Sequence, residues 1–407
     1  MRYKNAAAAI GDAGRELGVD HVLEGSVRRE GGRIRINATL IRVADQAQLW
    51  TDTFDRELES ILSLQNEVAR GVSGALALRL LPQEQARLTQ APAVNPKAYE
   101  AYLQGQNHRR RLTIGDLDRA LQYFELAAQL DPNYALAHEG IAGVWAGRRA
   151  VGFVSVEEGV ARIKTALAKA LALDPALPQA HLALANGYTW HQWNWDAAEV
   201  EYQRAIDALP NDADARVFYA RFLNIMKRPE EASVQFRRAL DLDPLSESIR
   251  AHYGTSLMRD RRYDEVIANA QAILATTPAS PQALSQISGA LHFQGKFDDA
   301  MAVEREMMLT RGDREAAAAI DRGYAEGGYR AAMRHLADAI SARPFGRGRV
   351  AGLYVRAGEH DLALDALERS FKSRDTNIVE IGVAGIYAEL RDHPRFQTLL
   401  RDMRLPN

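Results

Sequence analysis

The chain contains no cysteine, which removes disulfides, thiolate nucleophiles and cysteine metal centres at once but does not decide between a cytoplasmic and a periplasmic setting. Long apolar runs are missing as well. No stretch approaches the roughly 18 uncharged residues that a membrane helix needs, and the opening MRYKNAAAAIGDAGRELG carries acids where a signal peptide keeps its apolar core. As written, the chain is expected in the cytoplasm, and in the periplasm only if a membrane-anchored upstream part is missing. Charge of one sign is also scarce. With 51 basic and 53 acidic residues the net charge is -2, so no general field attracts nucleic acid. The one basic run, Arg109-Arg110-Arg111, reads as a solvated helix end.

Signatures of chemistry are equally thin. The glycine-rich REGGR, residues 29–33, lacks the Lys-Ser/Thr of a phosphate loop and falls in a hairpin, and Ser26 of LEGSVRR follows only one glycine and sits in a strand, not a nucleophile elbow. Kinase signatures are absent, and no histidines and carboxylates stand at metal-ligand spacing. Asp361 and Asp365 are four apart on one helical face, the kind of pair a hidden glycosyl transferase or hydrolase would use, yet such pairs are commonly solvated surface charge. Accordingly no catalytic, cofactor-binding or metal residues are assigned.

What is present is a period. Small residues fall at Ala185, Ala220, Gly254 and Ser288, large ones at Tyr188, Leu223, Leu257 and Leu291, then Ala198, Ala232, Val266 and Ala300. Ala205, Ala239, Ile273 and Met307 follow, with prolines at 210, 244 and 278. The steps are 34 residues apart save one of 35 in the first half of the earliest of these units. Each unit reads as two antiparallel helices: the small residue lets them approach closely, and the proline stops the second because it cannot continue the hydrogen-bond ladder.

These residue types and this period, carried by ALANGY…AAEVEYQRAIDALP and YARFL…EASVQFRRALDLDP, resemble the tetratricopeptide repeat. Two earlier units fit with insertions, one ending at ALQYFELAAQLDP and the next carrying about nine extra residues around RRAVGFVSV. The resemblance implies a mostly α chain: about six units over residues 91–312 in a right-handed superhelix, then degenerate helical repeats and a capping helix over 313–407. Its first helices would line a concave groove, displaying Asn186, Val217, Arg221, Asn224, Met258, Gln282 and His292. Arg221 and Asn224, three apart on one helix, would project to one side and grip an extended peptide's carbonyls or carboxylate, and alanine at both is expected to leave folding nearly intact.

The stretch TWHQWNWD, residues 189–196, holds three of the five tryptophans. Trp195 shares its position with Tyr263 and Phe297, and Trp190 with Phe293, so both read as core. Trp193 has no counterpart in the period; it lies at the one-residue insertion, in the turn between helices beside His191, and is the one of the three open to exposure.

Before the helices the period changes. Ile34, Ile36, Ala38 and Leu40 alternate with Arg33, Arg35, Asn37 and Thr39, the pattern of a half-buried strand. Turns at Glu30-Gly31-Gly32 and Asp45-Gln46 delimit three antiparallel strands, about residues 21–29, 33–43 and 47–55, with helices over about 6–17 and 58–80 covering one face. The run LEGSVRR…RIRINATLI…LW…FDR resembles the TolB-like amino-terminal domain that precedes tetratricopeptide arrays in bacterial regulators, and residues 1–90 are read as that α+β domain. Relative to that family a first strand and helix are missing upstream, which leaves a sheet edge open to self-association. In such regulators the composite accompanies an adenylyl cyclase, winged-helix or kinase domain, and none is present here. The sequence therefore points to a non-catalytic scaffold or sensory module for a protein or peptide partner, or to a regulatory fragment of a longer signalling protein.

Overall fold

The computed structural model describes residues 12, 14–15, 18–30, 33–57, 61–76, 94–341 and 347–406. The helix expected over 6–17 and the ends of the one expected over 58–80 lie outside them. The chain forms two compact units, residues 1–177 and 178–407.

In the first unit, strands β1 (His21–Glu30), β2 (Arg33–Arg42) and β3 (Gln48–Glu57) make an antiparallel sheet in that order. The alternation in β2 is expressed as burial: Ile34, Ala38 and Leu40 are buried while Arg33 and Arg35 reach Asp55 on β3. Helix α1 (Ile61–Ala75) covers the buried face and brings Gly71 so close to Trp50 that a Cβ there would overlap the indole. The unit continues as two helical hairpins, α2 (Pro96–Arg109) with α3 (Ile114–Leu130) and α4 (Ala135–Ala150) with α5 (Val156–Leu173). The extra residues of the second hairpin lengthen α4 to 16 and α5 to 18, against 13 and 14 in the later hairpins.

The second unit opens with four regular hairpins: α6 (Pro178–Gly187) with α7 (Trp195–Ala208), α8 (Ala213–Ile225) with α9 (Pro229–Leu242), α10 (Glu247–Arg259) with α11 (Tyr263–Thr276), and α12 (Pro281–Phe293) with α13 (Phe297–Thr310). Every small residue of the period is buried where paired helices cross, and the columns from Ala198 and Ala205 are buried throughout. Asp212, Ser246 and Ser280, also 34 apart, accept the backbone N–H three residues on and so cap α8, α10 and α12. Trp193, Lys227, Arg261 and Gly295, again 34 apart, take the left-handed conformation that turns the chain into each second helix.

That register locates the single 35-residue step. Residues Tyr188–Gln192 form a π turn after α6, the form in which a helix accommodates one extra residue. Trp193 is therefore the regular left-handed turn residue, not an insertion. Nor is it open to solvent: it is 5% exposed, with the Phe371 ring tilted against it (5.2 Å between rings) and the Arg374 guanidinium over it (3.6 Å). Trp190 is buried as expected, and Trp195 is partly buried with its indole N–H donated to the Met403 carbonyl at 3.1 Å. Phe297, at the same position as Trp195, is exposed.

Beyond α13 lie α14 (Arg314–Ser341), broken at Gly327 and Gly328, and the hairpin α15 (Arg347–Ala357) with α16 (His360–Lys372). Two 3-10 turns, Thr376–Glu380 and Gly385–Leu390, lead to α17 (Pro394–Asp402). The tail is not a simple cap on the last helix. Ile378, Val379, Ile381, Tyr387, Phe396 and Leu400 share one buried cluster with Trp190, Trp193, Ile225 and Leu284 of the regular hairpins. Trp193→Ala is accordingly expected to cost about 3–5 kcal/mol in urea unfolding, the range for deleting a buried aromatic, and a loss below about 1 kcal/mol would show that residues 371–374 do not cover it.

Candidate functional site

Helices α8 and α10 carry Arg221 and Arg259 toward residues 376–400. At the centre is Glu380, which ends the first 3-10 turn. Its carboxylate accepts from the Arg221 guanidinium at 3.0 Å, and Arg221 also lies over the Trp190 ring at 4.2 Å. Burial by itself raises the Glu380 carboxyl, but Arg221 and Arg259 outweigh it and hold its pKa below the ordinary carboxylate range. The carboxylate is ionised, with two arginines facing it.

The expected groove residues divide. Arg221, Asn224 and Met258 come together beneath the C-terminal segment, where Asn224, 2% exposed, donates to the Ser256 hydroxyl at 3.2 Å. His292 lies farther along, ring-stacked on Tyr329 with its Nδ1 3.0 Å from that hydroxyl. Val217 is buried among the aromatic rings of the α6–α9 core, and Asn186 accepts from Tyr202 at 2.8 Å, so both brace the hairpins instead of facing a partner. Gln282 is exposed. Arg221 holds Glu380 and Asn224 is buried, so alanine at these two sites is expected to cost roughly 1–3 kcal/mol each, more than the sequence suggested.

Two polar features went unread in the sequence. Glu304, buried on α13, accepts from Ser288 at 2.8 Å, from Arg356 at 2.8 Å and from Arg349, which ties α12 and α13 to α15. Its signal is modest, since an acid on a helix face otherwise occupied by Ala300 and Met307 reads as ordinary. Glu380 had a clearer one: it is the sole charge in NIVEIGVAGIY, residues 377–387, and a lone acid in an apolar run calls for a buried cation. Of the candidate acid pair, Asp365 accepts from Arg395 at 2.5 Å, beside Glu368, and belongs to a surface ion-pair network. In the basic run, Arg109 reaches Glu139 and Arg111 lies 3.6 Å from Asp116. Among the described residues no group of three or more His, Asp or Glu side chains converges to hold a metal, and no helix is long and apolar enough to cross a membrane.

A protein-family model described as tetratricopeptide repeat matches residues 112–134, the α3 stretch and the turn after it. That stretch is similar to a tetratricopeptide repeat. A curated relative, "Putative adenylate cyclase 3" of Rhizobium meliloti (strain 1021), is 30% identical over 196 residues, which is 46% of this chain and 32% of the relative. The chain thus matches about a third of that relative's length. Among solved structures, yeast Tom70 aligns over 75% of this chain and 68% of its own at 15% identity and a TM-score of 0.43. PilF of Pseudomonas aeruginosa aligns over 65% and 97% at 17% identity and 0.36. YrrB, described as a TPR protein with an unusual peptide-binding site, aligns over 49% and 97% at 18% identity and 0.34.

Two histidines make the site sensitive to acid. Burial, then Arg221, pushes His252 down to about 4 while Glu380 acts the other way, and burial with Arg356 pushes His292 down to about 4. In the unfolded chain both titrate near 6.5. Between those values the unfolded form binds more protons, so stability falls as pH drops from about 6.5 to about 4. Each histidine is expected to contribute on the order of 1–3 kcal/mol of that loss. Urea titrations across this range should show the loss, and His252→Asn with His292→Asn should flatten it. A level wild-type profile would contradict the burial described.

Proposed function

We propose that this chain is a non-catalytic interaction module whose first-helix face binds a peptide or partner domain. The observation that carries the reading is the way this face treats residues 376–390. It takes a segment of its own chain built of two 3-10 turns, buries Ile378, Val379 and Ile381, and pairs Glu380 with Arg221. Apolar pockets and one half-buried charge-assisted contact are what a peptide-recognition surface uses. Arg221, Asn224 and Met258 are the central contacts in this reading, with His292 and the exposed Gln282 extending it along α12. The sequence boundaries go with it: a TolB-like α+β domain over 1–90 for sensing or docking, repeats over 91–312, and degenerate repeats with the closing segment over 313–407. The outer edge of β1, unpaired among the described residues, would accept an upstream strand or a second copy.

A second reading, a regulatory part of a longer signalling protein, is favoured by the partial match to the Rhizobium meliloti relative. It differs from the first in what lies upstream, not in what this face does. An enzymatic reading has less support, because the candidate acid Asp365 is committed to Arg395.

The test uses the closing segment as its own probe. A labelled peptide with the natural sequence of residues 376–390 should bind the full-length Glu380→Arg variant, in which repulsion from Arg221 weakens the internal contact. The wild-type chain should bind it roughly tenfold more weakly, a difference of about 1.4 kcal/mol. Failure of the folded variant to bind the peptide would contradict the reading, and turnover of a substrate by the purified chain would favour the enzyme.

A further inference from the structure

Beside the Glu380 contact a cavity of about 700 Å³ opens between the ends of α8 and α10, the start of α11, and residues 382–400. Its lining is unlike the rest of the molecule, in which basic and acidic groups are interspersed. Lys227, Arg259, Arg261 and Arg391 line it against a single acid, Asp260. The 34-residue period explains half of that charge. Lys227 and Arg261 occupy the left-handed turn position of successive hairpins, so their side chains leave neighbouring helix ends on the same side.

Arg259 is the decisive group. Its Nε and Nη1 are buried and have no hydrogen-bond acceptor among the described residues. Glu380 attracts it by charge, but the Glu380 hydrogen bond comes from Arg221. Buried N–H groups without acceptors are costly, and the positive charge they leave unanswered, added to that of Lys227, Arg261 and Arg391, favours an oxyanion beside the guanidinium. On the opposite side the cavity is walled by Tyr263 and Phe293, whose rings are stacked at 5.3 Å and 8°.

We propose that this cavity binds a small organic anion: Arg259 takes its carboxylate or phosphate oxygens, Lys227, Arg261 and Arg391 supply the surrounding positive field, and the Tyr263–Phe293 wall takes its apolar body. Asp260 limits the total negative charge the site accepts. Since the lining draws on both the repeat helices and residues 382–400, an occupant would stabilise the closed arrangement of the C-terminal segment.

The test is a titration of the full-length chain with benzoate, phenyl phosphate and, as the neutral control, benzamide, read by calorimetry and by thermal unfolding. Benzoate or phenyl phosphate should bind saturably and raise the unfolding temperature by mass action, and whichever binds tighter identifies the oxyanion. Arg259→Met should lower the affinity roughly tenfold or more. Because it removes buried N–H groups that lack acceptors, the ligand-free variant should melt near the wild-type temperature. If that variant fails to fold, the exposed pair Lys227→Gln with Arg391→Gln decides: a loss of roughly tenfold supports the site and unchanged affinity overturns it. The proposal is also overturned if neither anion binds at millimolar concentration, if benzamide binds as well as the anions, or if Arg259→Met binds them unchanged.

Discussion

The close crossing of paired helices at one small residue per unit is the constraint on which the rest depends. Ala185, Ala220, Gly254 and Ser288 are buried, and large residues follow three positions later in each unit. With the core between paired helices filled by short side chains, the long ones are displaced outward. Arg221, Met258 and Arg259 therefore end up on the face formed by the first helices. Their convergence there follows from a rule about packing volume, before any question of binding arises.

A face of that kind has to be wetted, covered or matched. Here residues 376–390 cover it, and they do so with both of the elements that such a surface can recognise. Ile378, Val379 and Ile381 join the apolar cluster, and Glu380 meets Arg221. The half-buried carboxylate and its arginine are worth less as stability than as register, since a one-residue slip would break their contact. The same arrangement leaves Arg259 without a hydrogen-bond partner, and that residual charge separates a covered groove from a groove with a remaining site.

The repeats were legible because their period is written several times over in residue size, capping residue and proline, each with a local physical cause. The three strands were legible for a similar reason, as β2 alternates residue by residue. What could not be read was tertiary return. Trp193 looked like a turn residue and is one, but its burial comes from Phe371 and Arg374, nearly 180 positions away. The 35-residue step was visible, whereas its absorption as a π turn was not, because no residue type marks a π turn. Of the groove, Arg221 and Asn224 were implied by the resemblance to the repeat family, while their partners Glu380 and Ser256 lie in another segment and in the next hairpin. Arg259 was passed over because a terminal arginine on a helix ordinarily faces water.

The central claim is that the C-terminal segment rests on the first-helix face through the Arg221–Glu380 contact. Amide hydrogen exchange over residues 376–390 of the intact chain at neutral pH measures it most directly. The account predicts protection of roughly a hundredfold or more, about 2.7 kcal/mol, for amides of this segment in the wild-type chain. It also predicts loss of that protection in Arg221→Ala but not in Gln282→Ala, whose side chain is exposed elsewhere on the same face. Exchange at the rate of an unstructured peptide in the wild-type chain, or protection that survives Arg221→Ala undiminished, would contradict it.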